Sequence, residues 1–194
     1  PTLVFGDVSG LTFQSNITGS FASPNALFTR GSVTTGDLDF SAELGVFGTG
    51  VTTGSVNSSS FSELNAGAGA LVVNGPVTIT GQFGANGGSI SFADSVTGGS
   101  QIQMNSAGAI SGTTVNAATG IGISGGSVDF SGLDTVAGAL NATATAGNLS
   151  VGTVDGGGAV TLQTTGGAGD VRVDSATAAG LLTVNSVDQV RGDG

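Results

Sequence analysis

The sequence predicts an all-β chain wound as a parallel β-helix, or β-solenoid, with three short strands in each coil of about 20 residues and about nine coils in all. Three observations carry that expectation. Apolar residues recur at one nearly fixed interval, clusters of Gly, Asn, Ser and Asp punctuate the intervals, and no window of 11 or more residues shows a capped helical period.

The first strand of each coil is marked by Phe21, Phe40, Phe61, Phe83, Met104, Ile123, Ala142, Leu162 and Val184, at steps of 19, 21, 22, 21, 19, 19, 20 and 22. In most copies the residue two places earlier is also apolar, as in Leu38, Ile102, Ile121, Leu140, Val160 and Leu182. Successive side chains of a strand point to opposite sides, so this spacing buries one side and leaves the other wet. A second ladder, Val51, Val73, Phe92, Ile110, Phe130, Val151 and Val173, and a third, Val56, Val77, Val96, Val115, Val136, Val154 and Ala176, share the period. No single coil can bury its inner residues, whereas coils stacked on one another line a common interior and pair their backbones. With strands about 4.8 Å apart the rod would be about 45 Å long.

Corners fall at Asn86-Gly87-Gly88, Gly98-Gly99-Ser100, Gly125-Gly126, Asp155-Gly156-Gly157-Gly158 and Gly166-Gly167, where glycine turns the chain within two residues. Nine of the ten Phe lie between Phe5 and Phe92, which predicts a wider bore or looser coils in that half. No charged or Pro-rich linker divides residues 1–194, which read as a single β-solenoid segment and a piece of a longer repetitive protein.

Composition narrows the chemistry. Gly 37, Thr 24 and Ser 23 supply 84 of 194 positions, yet 38% apolar content sets the chain apart from a disordered Gly/Ser linker. With no Cys and no His there is no disulfide framework, thiol nucleophile or Ser-His-Asp triad, and no cofactor is expected. A net charge of −10, with only Arg30, Arg172 and Arg191 as cations, excludes an extended phosphate-binding footprint and hence nucleic acid. No apolar run of about 18 residues is available to insert into a membrane.

Carboxylates are the remaining acid–base groups, and three pairs are close in sequence: Asp37 with Asp39, Asp129 with Asp134, and Asp170 with Asp174. A pair held about 5 to 9.5 Å apart can cleave a glycosidic bond. Against this, Asp39 and Asp129 stand between inward apolar neighbours and so point outward, Asp37, Asp134 and Asp155 sit in turn contexts, and the chain has no Trp or Tyr to make a sugar platform. The expectation is a protein that is not an enzyme, with no catalytic, cofactor or metal residue.

Other motifs are weighed the same way. Gly166-Gly167-Ala168-Gly169-Asp170 resembles half of a calcium-binding nonapeptide turn, but its Asp comes one place early and no tandem copy follows, so it reads as a plain glycine corner. Arg191-Gly192-Asp193 spells the integrin-binding tripeptide, a cation and a carboxylate held apart on an exposed turn; in a Gly- and Asp-rich chain it also arises by chance. Thr78/Thr80 and Thr143/Thr145 suggest a threonine array of the ice-binding kind, yet the outward residues Asp39, Gln103, Gly122, Asn141, Thr161 and Thr183 are too mixed for a lattice. Asn65, Asn86 and Asn105 step by 21 and 19 and predict stacked amides at a corner. Asn16, Asn57, Asn141 and Asn148 begin Asn-x-Ser/Thr sequons.

With these ladders, Gly147-Asn-Leu-Ser-Val-Gly-Thr-Val154 and Gly169-Asp-Val-Arg-Val-Asp-Ser-Ala176 look like coil units, and the chain resembles the β-solenoid shafts of filamentous-haemagglutinin-type adhesins exported by two-partner secretion, and more loosely autotransporter passengers. No Asn-Pro-Asn-type secretion motif is present. The resemblance implies a right-handed triangular prism in an extracellular fibre on the bacterial cell surface, with adhesion to a host receptor, glycan or matrix in place of catalysis. Two other functions fit the same fold: a filament subunit joined end to end, and a carbohydrate-active β-helix such as a lyase or tailspike.

Overall fold

Residues 10–12, 17–19, 25–28 and 31–192 are described by the structure, a computed structural model. Among them there are strands and turns and no helix, and the strands pair in parallel, each with its equivalent one coil away. The fold is a β-solenoid of about eight turns of roughly 19 residues. Nine stacked strands form one sheet, here face 1, and fifteen form a second, bent sheet that supplies faces 2 and 3.

Face 1 runs from Asn25–Phe28 through Leu44–Phe47, Ser62–Asn65, Phe83–Gly87, Gln101–Ser106, Gly120–Gly125, Leu140–Ala144 and Val160–Thr164 to Leu182–Asn185. In the early coils faces 2 and 3 are separate strands, such as Ala70–Val73 and Val77–Ile79, broken at Asn74-Gly75-Pro76, where Pro76 has no N–H to pair. From residue 109 one long strand crosses both faces: Ala109–Ala117, Ser127–Thr135, Leu149–Gly156 and Val171–Ala178. Between Ala109–Ala117 and Ser127–Thr135 the pairing is interrupted at Thr113 in the bend and resumes in the same register with Thr114 opposite Gly132.

The interior is lined by rows of apolar side chains, one residue per coil. On face 1 two inner rows are Leu44–Ser62–Phe83–Ile102–Ile121–Leu140–Val160 and Val46–Leu64–Ala85–Met104–Ile123–Ala142–Leu162, all buried. The bulkiest inward residue of face 1, Phe83, stands beside the small Ala85 and meets Phe92 edge-on, ring centroids 6.2 Å apart at 68°.

The period was legible, while the register in three places differs from the expectation. Met104, Ile123, Ala142, Leu162 and Val184 do form one row, but Phe83 stands opposite Ile102, two places from Met104. Phe61 precedes its strand and is 39% exposed, and Phe40 belongs to face 3, opposite Ser58; Phe21 lies outside the described residues. The places of that row in the earlier coils are held by Val46, Leu64 and Ala85 instead, so the bulky aromatics misled the spacing. The second ladder mixes two inward rows two residues apart, Val51 and Ile110 in one and Val73, Phe92, Phe130, Val151 and Val173 in the other. The third ladder holds throughout except at Val136, which is 77% exposed, its place taken by Leu133. Phe47 and Phe61 are not in the core, so part of the aromatic excess of that half lies outside the interior.

Corners explain the glycine content. Between faces 1 and 2 the column Gly69, Gly88, Gly108, Gly126 and Gly147 passes backbone hydrogen bonds from coil to coil at 2.6 to 2.8 Å. A Cβ on Gly108 would lie 2.5 Å from the Gly88 carbonyl oxygen, so the backbones meet there without room for a side chain.

Candidate functional site

The outward side of face 1 is built by the alternation that fills the core. Its two outward columns are Glu63, Gly84, Gln103, Gly122, Asn141, Thr161, Thr183 and Asn65, Asn86, Asn105, Ser124, Thr143, Gln163, Asn185. From Gly84 to Asn185 neither column holds a charged residue; the acidic residues of those coils lie on the other faces or at corners. Over that span face 1 is an uncharged field of amides and hydroxyls.

The amide column is a directed hydrogen-bond chain. Glu63 Oε1 accepts from Asn65 Nδ2 at 3.4 Å and from Asn86 Nδ2 at 3.3 Å, and Asn86 Oδ1 accepts from Asn105 Nδ2 at 3.4 Å. The carboxylate fixes which way the amides turn, because each must offer its N–H side toward Glu63. Farther along, Gln163 Nε2 donates to Thr143 Oγ1 at 3.1 Å. Between these segments stands Ser124, in register with Asn105 and Thr143, whose hydroxyl has no hydrogen-bond partner among the described residues.

Two hollows meet at this break. One of about 450 Å³ opens at the corner over Gly67, Ala68 and Gly87 and is bordered by Asn86, Asn105 and Ser124. The other, about 250 Å³, lies on the sheet between Gln103, Asn105, Ser124, Asn141 and Thr143, floored by Gly122. Asn105 and Ser124 line both. Over Gly122 the Gln103 side-chain amide takes the space that a Cβ would need, so the amide lies down on the glycine of the next coil.

None of the three carboxylate pairs comes together as a pair. Asp37 caps a corner, its Oδ1 accepting from the Ser55 N–H at 2.7 Å, while Asp39 faces outward on face 3 and accepts from Asn57 Nδ2 at 2.9 Å. Asp129 and Asp134 share a strand but lie on faces 2 and 3. Asp170 binds Arg191, Oδ2 to Nη2 at 3.1 Å, whereas Asp174 is exposed and 3.6 Å from Arg172 Nε. The register instead places Asp134 beside Asp155, and Thr177 Oγ1 donates to Asp155 Oδ1 at 2.5 Å. Adjacency in sequence was the wrong guide because one coil, not a few residues, is the neighbour distance.

The remaining motifs take these positions. Arg191 and Gly192 end the strand Val190–Gly192; the Arg191 guanidinium also donates from Nε to Gln189 Oε1 at 3.1 Å, and Asp193 lies outside the described residues. The Gly166–Asp170 segment is a corner whose Gly167 has φ +68°, with the Gly169 carbonyl accepting from Thr164 Oγ1 at 2.9 Å. No group of three or more acidic side chains able to hold a metal occurs among the described residues. Thr78 faces outward on face 3 and Thr143 on face 1, so the two threonine strings share no surface. Gln103, Gly122, Asn141, Thr161 and Thr183 form one outward column as expected, but Asp39 belongs to face 3. The stacked amides Asn65, Asn86 and Asn105 are in register, along a strand edge of the face. Asn57 and Asn141 are exposed on faces 3 and 1, Asn148 is exposed beside a corner, and Asn16 lies outside the described residues.

The neutral hollowed face was not anticipated from the sequence. Its signal was the absence of charge at every second position of the first strand, visible only once the register is fixed. Compared with protein-family models, curated proteins and solved structures, the chain matches none.

Proposed function

We propose that this chain is a structural and adhesive shaft of an extracellular bacterial surface fibre, a rod that is not an enzyme and that presents its outward faces and turns to a host, surface or matrix. The observation that supports this is the even stacking: from Leu44 to Leu182 the coil steps are 18, 21, 19, 19, 19, 20 and 22 residues, with no inserted domain or long loop. Such a chain is stiff because every coil is bonded to the next over three faces, and it repeats its outward chemistry at fixed spacing, which suits multivalent contact. Small-angle scattering of the purified chain tests the shaft: an elongated rod is expected, and a globular profile would overturn it. Attachment of beads coated with the chain to cells or matrix tests the adhesive part.

A second reading, a filament subunit joined end to end, is favoured by the last described coil. Leu182 and Val190 are 41% and 58% exposed there, and among the described residues no strand pairs on the outer edge of that coil. A further parallel coil, from the same chain or a second copy, would cover this apolar edge. Light scattering separates the two: growth to long fibres with concentration supports assembly, and uniform short rods oppose it.

A further inference from the structure

We infer that Asn74 is a site of spontaneous covalent modification, its side-chain amide being converted to aspartate and isoaspartate with the help of the peptide nitrogen that follows it. The chemistry is the same whether the rod serves as shaft or filament. The Gly75 nitrogen gives up its proton and attacks Asn74 Cγ, a cyclic imide closes, and ammonia leaves. Water then opens the ring at one carbonyl to give aspartate, or at the other to give isoaspartate, in which the backbone runs through the side-chain carbon. A following glycine favours the attack because no side chain shields its nitrogen.

The chain has two Asn-Gly pairs, Asn74-Gly75 and Asn86-Gly87, alike in sequence and opposite in setting. Asn74-Gly75 lies in the corner between faces 2 and 3. Val73 pairs with Thr53 and Val77 with Val56, so this corner holds one residue more than the corner of the coil before it. The surplus falls at Gly75. Its N–H has no hydrogen-bond partner among the described residues, whereas the Asn74 N–H donates to the Thr53 carbonyl at 2.9 Å and the Pro76 carbonyl accepts from the Val56 N–H at 2.9 Å. Asn74 is exposed, and its amide makes one bond among the described residues, from Nδ2 to the Thr53 carbonyl at 3.2 Å. The corner also needs its glycine, since a Cβ on Gly75 would lie 2.9 Å from the Ser55 nitrogen. The reactive pair is therefore built into the turn.

Asn86 is held on every side. It sits within the strand Phe83–Gly87, paired with Asn65 in one neighbouring coil and Asn105 in the other. Its Nδ2 donates to Glu63 Oε1 and its Oδ1 accepts from Asn105 Nδ2, while Gly87 is buried. Bringing the Gly87 nitrogen onto Asn86 Cγ would first have to open the ladder, so local opening slows the step there. At Asn74 no ladder stands in the way. Conversion removes the Nδ2 donor held on the Thr53 carbonyl and adds a negative charge to a corner where Asp94, also exposed, stands one coil away.

Incubation of the full chain in warm, mildly alkaline buffer, followed by mass spectrometry of its peptic peptides, tests the site. The peptide containing Asn74 should gain one mass unit at least about tenfold faster than the peptide containing Asn86. In urea sufficient to unfold the chain, the two rates should converge. Asn74→Gln, which would require a larger ring, should abolish the fast gain and leave the slow one at Asn86. Equal rates at the two asparagines in the folded chain, or a slower gain at Asn74, would overturn the assignment, as would a fast gain that persists in the Asn74 variant.

Discussion

Gly112 and Phe130 are direct neighbours in adjacent coils, and the Phe130 ring occupies the space that a side chain on Gly112 would need: a Cβ there would lie 2.7 Å from Phe130 Cε1. The same Cβ would lie 3.3 Å from Phe92 Cβ, in the coil on the other side. The missing side chain of one coil is filled by the ring of the next, so at this place the core is matched between coils.

Gly112→Val therefore overpacks the interior and is expected to cost about 2 kcal/mol, and Phe130→Ala about 4 kcal/mol by leaving a void. Combined, the two changes should cost less than their sum, since valine fills part of the space the ring vacates. Urea denaturation of the four proteins measures this; strict additivity would contradict the shared space.

Ser62 is buried in the inner row between Leu44 and Phe83, and its Oγ has no hydrogen-bond partner. The other buried hydroxyls in this half do find carbonyls, Thr53 that of Gly36 at 3.0 Å and Ser58 that of Ala42 at 2.6 Å. Ser62→Ala should stabilise the chain by about 1 kcal/mol, whereas Ser58→Ala should destabilise it by a similar amount. A loss of stability in the Ser62 variant would show that its hydroxyl is satisfied.

Leu133 and Val136 lie three residues apart and discriminate the register. Leu133 is 1% exposed and Val136 is 77% exposed. Leu133→Asp buries an unpaired carboxylate and is expected to cost more than about 3 kcal/mol or to prevent folding, while Val136→Asp should stay within about 0.5 kcal/mol. Comparable thermal shifts in the two variants would contradict the register.

Glycines differ in the same testable way. A Cβ on Gly138 would collide with the Thr119 carbonyl oxygen, but one on Gly84 would meet only ordinary contacts, 3.7 Å from Glu63 Cγ. Gly138→Ala should lower the melting temperature by several degrees, and Gly84→Ala should hold or raise it. Thermal unfolding followed by circular dichroism reads both.

The period and the strand-only architecture were legible because a solenoid writes the same burial pattern every coil; Val56, Val77, Val96 and Val115 could be stacked from the sequence and are stacked in the structure. What was not legible is register within a coil. Period-two alternation makes a slip of two residues invisible, since Val51 and Thr53 face the same way, and a polar residue such as Ser62 in an inward slot hands its place in the pattern to a neighbouring Phe. The amide ladder was readable because Asn65, Asn86 and Asn105 repeat one residue type. The hollow beside it was not, because glycine at position 122 looks like any other glycine until its outward column is known.

The parallel stacking also sets how the rod yields under load. Its hydrogen bonds run along the long axis while the peptide chain runs across it, so tension pulls directly on the contacts between neighbouring coils and peels them from an end, one after another. Each coil set free adds about 60 Å of slack chain where it had occupied about 5 Å. A tether of this construction would absorb a sudden tug by lengthening in steps, keeping its remaining coils intact.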